Sequence, residues 1–149
     1  MQRLGLMDYS PFDLAAMQVG DPDIDRGHES LLRVLGRLKG VGSERKGHEF
    51  ELILAELGKE LQTHIASEES LLTALGMPDE DVRRHLRAHS DIIENLALIS
   101  FLVPRKAALS HLDIFMEVQE WIVFHFLNHD LKMRPYIACK NKGSVTPAI

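Results

Sequence analysis

The chain has 149 residues, 45% of them apolar and 26% charged, with a net charge of −5, the mix of one soluble globular domain rather than a disordered or fibrous chain. No long basic stripe forms, which argues against nucleic acid as a partner, and no apolar run reaches the roughly 18–20 residues of a membrane span. Leu4 to Met7 is too short for a secretory leader, and the single Cys139 excludes an internal disulfide, so a reducing, cytoplasmic compartment is expected.

Residues 1–20 show no sustained period and are punctuated by Ser10-Pro11 and Gly20, so they read as an N-terminal arm. The first helix starts with Asp21 as N-cap and Pro22 at its first position, with Asp23 and Asp25 at the positive end of the dipole. Its seam is Ile24, His28, Leu31, Leu35 and Leu38, and Gly40 stops it. A polar loop follows to Gly47, with Ser43 as candidate cap for the second helix. That helix carries Phe50, Leu54, Leu57, Leu61, His64, Glu68, Leu71 and Leu75 at alternating steps of four and three, all on one side, and ends at Gly76.

The third helix begins after Met77-Pro78 with Asp79, Glu80 and Asp81 in its first turn, and its seam runs Val82, His85, His89, Ile92, Leu96, Ile99, Val103. Pro104 is expected to open the fourth, whose seam is Ala107, His111, Ile114, Val118, Trp121 and His125, and Arg134-Pro135 to end the helical run. Residues 138–149 read as a flexible tail. Four amphipathic segments with short connections predict an all-α, up-down-up-down antiparallel four-helix bundle over residues 21–137.

Eight histidines are a surplus, and their placement matters. In such a bundle His28 lies near the start of the first helix, and His64 and Glu68 near the end of the second. His85 and His89 fall near the start of the third, and His125 near the end of the fourth. All would meet at one end, facing the axis, with Asp130 just past the last turn. Taken singly, each seam histidine also reads as a core residue bonded to a carbonyl or water. Glu68 is harder to explain so, because a buried carboxylate costs several kcal/mol without a cation and no Lys or Arg shares its level. A metal supplies the compensation. His48 and His129 lie off the seams and are expected at the surface. His111 is about 21 Å from His125 along its helix and is expected to be structural, at the far end.

Five imidazoles and two carboxylates exceed the four ligands of a structural zinc and suit two metals of intermediate softness, iron better than calcium or magnesium. Ferritin-like bundles use Glu-x-x-His pairs and more carboxylates. The arrangement Ile24-Asp25-x-x-His28, His64-x-x-x-Glu68, His85-x-x-x-His89 and Trp121-x-x-x-His125-x-x-x-x-Asp130 resembles the hemerythrin family, specifically the bacterial hemerythrins.

The resemblance spans about residues 19–137. It implies one iron held by His85, His89 and His125 and a second by His28 and His64. Glu68, Asp130 and an oxo or hydroxo group would bridge the two irons, leaving one position on the second open. It further implies reversible dioxygen binding, for oxygen transport, storage or oxygen sensing, the last with a signalling partner. The pocket would be lined by Ile122, Trp121, Ile65 and Leu31, each of which also reads as ordinary core. The alternative is a di-iron enzyme (peroxidase, ferroxidase or nitric oxide-handling) using the same site. Where this chain has Asp13, Gly27 and Met133, the bacterial members usually carry Trp, Gln and Tyr, none of them a ligand.

Overall fold

The computed structural model describes residues 15–44, 46–105 and 110–143, and these are helical with no strand among them. The long helices are α1 (Pro22–Ser43), α2 (Gly47–Leu72), α3 (Asp79–Leu102) and α4 (His111–Asn128). One 3-10 turn, Val103–Arg105, follows α3. A second, Asp130–Met133, leads from α4 into a short α5 (Arg134–Asn141). Helix α2 packs against α1 and α3, and α4 against α1 and α3, so the four close on one another. Among the described residues no helix is long and apolar enough to cross a membrane.

The seams face inward as their spacing dictates. Leu31, Leu38, Phe50 and Leu57 have no exposed surface, each burial contributing about 1.5–3 kcal/mol. Two apolar clusters form. The larger contains Leu31, Leu61, Ile92 and Ile122; the smaller contains Val19, Ile24, Leu72, Met133 and Ile137. Along α1 and α2 the polar seam residues fall between the two, His28 after Ile24 and before Leu31, Glu68 after Leu61 and before Leu72. The site is therefore walled by hydrocarbon above and below.

Several boundaries differ from the sequence expectation. Asp21 does cap α1, its carboxylate accepting from the amides of Asp23 and Ile24. Gly40 does not stop that helix, which runs to Ser43. Ser43 lies in its last turn, donates to the Lys39 carbonyl, and does not cap α2, whose N-cap Lys46 makes no side-chain bond. Helix α2 gives way to a turn after Leu72, and Gly76 closes that turn at φ +72°. Pro104 sits in the 3-10 turn after α3. Helix α4 starts only at His111, where the Ser110 hydroxyl accepts from the Asp113 amide; Ala107 lies outside the described residues.

Arg134-Pro135 starts α5 instead of ending the helical run, because proline is tolerated in a first turn. Ile137 then docks in the smaller cluster, so residues 138–141 are helix rather than flexible tail. Residues 144–149 and 1–14 lie outside the described residues. The end of the arm is ordered: Met17 and Val19 are buried, and Asp25 accepts from the amides of Val19 and Gly20.

Candidate metal centre

The seven residues singled out from the sequence, His28, His64, Glu68, His85, His89, His125 and Asp130, are all buried and meet in one cluster. Helices α1, α2, α3 and α4 each contribute through their seams. Asp130 opens the 3-10 turn that follows α4, and that tight turn brings its carboxylate back over the helix end.

Both carboxylates are divided. Glu68 Oε1 faces the Nε2 atoms of His85, His89 at 3.0 Å and His125 at 3.5 Å, while its Oε2 is 2.9 Å from His64 Nε2. Asp130 Oδ1 is 2.9 Å from His85 Nε2 and 2.8 Å from His125 Nε2. Its Oδ2 is 2.8 Å from His28 Nε2 and 3.6 Å from His64 Nε2. One oxygen of each acid thus belongs to a three-imidazole set and the other to a two-imidazole set. The donor atoms of each set lie within 4.8 Å of one another.

Hydrogen bonds account for only part of these contacts, pairing His28 Nε2 with Asp130 Oδ2 and the Nε2 atoms of His85 and His89 with Glu68 Oε1. His64 Nε2, His125 Nε2, Glu68 Oε2 and Asp130 Oδ1 are buried with no hydrogen-bond partner among the described residues. Within each set these atoms share a common space. Each such orphan costs about 1–3 kcal/mol, and a cation in each space answers all four. Imidazole nitrogens with carboxylate oxygens are the donor mixture that divalent transition metals take. The cluster is therefore fit to hold metal.

Without metal, protons do the compensating. Burial disfavours the charged rings, but Asp130 and Glu68 outweigh it and lift His64 and His125 to about 9; His85 is also raised. Burial likewise pushes Glu68 and Asp130 upward, Asp130 adding repulsion at Glu68, yet the imidazoles hold both well below the usual carboxylate range.

Around the cluster, outer partners fix the rings. The Met17 carbonyl lies 3.2 Å from His28 Nδ1, and Glu69 Oε1 lies 3.0 Å from His89 Nδ1, so each can hold the tautomer that leaves Nε2 free for a metal. The His28 ring also stacks on Phe126, centroids 3.9 Å apart. Leu31 and Ile122 are fully buried in the larger cluster, and Ile65 and Trp121 pack against it, half-buried.

Of the remaining histidines, His48 is exposed as expected, and His111 opens α4 with its ring stacked on Phe50 at 4.3 Å. His129 is not a free surface residue: half-buried, it stacks on His125 at 5.2 Å, and burial with the neighbouring His125 and His85 lowers it to about 4. Sequence reasoning missed His129, Glu69 and the Met17 carbonyl. Glu69 had only its adjacency to Glu68 as a signal, and a backbone carbonyl leaves none.

No protein-family model, curated protein or solved structure matches the chain.

Proposed function

We propose that this chain is a hemerythrin-like, up-down-up-down antiparallel four-helix bundle. In this reading it binds dioxygen reversibly at a non-heme di-iron centre, as a carrier, store or sensing domain. The observation that carries the reading is the division of Glu68 and Asp130 between two imidazole sets. A carboxylate that bridges two cations needs one oxygen for each, and both acids are disposed in that way. Donors drawn from the start, end, start and end of successive helices support alternate running directions, since they meet only if neighbours run oppositely.

His85, His89 and His125 would hold one iron and His28 with His64 the other, Glu68 and Asp130 being shared. The second set is one nitrogen poorer, which favours an open position there for a small ligand. The irons, when bound, supply the electrons for dioxygen uptake. The protein supplies the rest. Leu31, Ile122, Ile65 and Trp121 make the surroundings apolar and exclude water, which disfavours charge separation there. Met17 and Glu69 hold His28 and His89 in the ligating tautomer.

The test is to load iron, reduce the protein without air, admit oxygen and follow the charge-transfer bands in the visible. Bands that appear and then vanish when oxygen is removed support reversible binding. Oxygen consumed through repeated additions of reductant would assign an enzyme instead. One zinc per chain by metal analysis, or no spectral change, would overturn the di-iron reading.

A further inference from the structure

The Asp130–Met133 turn ends in Arg134, whose side chain turns away from the cluster and grips the arm ahead of α1. Its Nε donates to the Gln18 carbonyl at 2.9 Å, and one terminal nitrogen donates to the carbonyls of Gln18 at 2.5 Å and Ala16 at 3.0 Å. Between these two carbonyls lies that of Met17, which faces His28 Nδ1. On the other side, Asp25 holds the amides of Val19 at 2.7 Å and Gly20 at 3.2 Å. A three-residue stretch is thus pinned from both ends while its middle carbonyl meets a ligand.

We infer that Arg134 is a positioning residue for the two-imidazole half of the centre, acting through the Met17 carbonyl on His28. The inference rests on the metal reading above. The guanidinium suits the task because its planar fork reaches two carbonyls at fixed angles, which an ammonium does not do. His28 Nε2 is 2.8 Å from Asp130 Oδ2, and Asp130 lies four residues before Arg134, so one short segment carries both a shared acid and the clamp on that acid's histidine partner. Among the described residues no group of the arm bonds a ring of the three-imidazole half, where His89 is held by Glu69 on α2. The arm is therefore tied to one half of the centre and not the other.

Anaerobic Co(II) titration of the full chain tests this. Wild type should take two equivalents. Arg134→Ala should leave the first within twofold and weaken the second about threefold to tenfold, less than the roughly 10–100-fold typical of losing a direct outer partner, because the Met17 carbonyl remains and only its anchor is lost. Arg134→Lys keeps the charge and the stem without the fork, and should show a smaller loss at the same half. In a His28→Ala background, Arg134→Ala should change Co(II) binding by less than twofold, because the ring through which it acts is gone. Equal weakening of both equivalents, wild-type binding by both Arg134 variants, or a further loss in the His28→Ala background would each overturn the inference. Fewer than two equivalents in wild type would overturn the two-metal reading itself, and this inference with it.

Discussion

Metal loading should expel protons, and their number follows from the geometry. In the metal-free protein His64 and His125 titrate near 9, lifted by Asp130 and Glu68 against the pull of burial. A ligating Nε2 must be deprotonated. At pH 7 each ring is therefore protonated when free and neutral when bound, so loading releases at least two protons per chain, with His85, also raised, adding to them.

Giving up a proton two units below its pKa costs about 2.7 kcal/mol per ring. His64 belongs to one imidazole set and His125 to the other, so the apparent affinity for each metal should rise about tenfold per pH unit from pH 7 towards 8.5 and level off above 9, more steeply where His85 contributes. Calorimetric titration with Co(II) in two buffers of different ionisation enthalpy counts the protons directly. Clearly fewer than two protons released per chain at pH 7, or affinity that is flat between pH 6.5 and 8.5, would refute the reasoning.

The same shifts set the stability of the metal-free fold. The raised imidazoles contribute fully below about 6.5 and lose that contribution as pH climbs through 9. Glu68 and Asp130, held low, contribute above their ordinary values of 4.5 and 3.8 and lose it as pH falls through their depressed ones. Metal-free stability should peak between about pH 4.5 and 6.5, and the rise in Tm on adding metal should widen at higher pH.

Two substitutions probe the frame. A Cβ at Gly27 would stand 2.5 Å from His64 Nδ1, where ordinary contacts begin near 3.5 Å, so Gly27→Ala should displace that ring by roughly 1 Å and weaken metal at the two-imidazole half. Gly36→Ala, in the same helix with nothing within 4 Å, should bind metal as wild type and gain about 0.5–1 kcal/mol by thermal unfolding. Leu57→Ala, at a site with no exposed surface, should lose about 2–5 kcal/mol in urea unfolding while metal stoichiometry stays unchanged. Lost stoichiometry there would mean that the site and the core are not separable.

The buried cluster was legible because a helix buries one stripe, and a period of alternating threes and fours marks it. His28, His64, Glu68, His85, His89 and His125 interrupt stripes of leucine, isoleucine and valine at positions where water is excluded, and a carboxylate there calls for compensating positive charge. Asp130 was legible from its distance past His125. What periodicity reports, however, is one face of one helix. It carries nothing about contacts between segments far apart in the chain.

That is why Arg134-Pro135 reads as a stop in sequence, yet the chain turns there into α5, whose Ile137 finds Ile24 and Leu72. It is also why His129, off every stripe, is half-covered against His125. The grip of Arg134 on Ala16 and Gln18 spans more than a hundred residues and involves backbone atoms every residue possesses. The local pattern of side chains determined which groups would be buried and which of them needed charge. Tertiary packing alone decided which oxygen of each acid meets which ring, because that division depends on how four separate helices and one tight turn are set against each other.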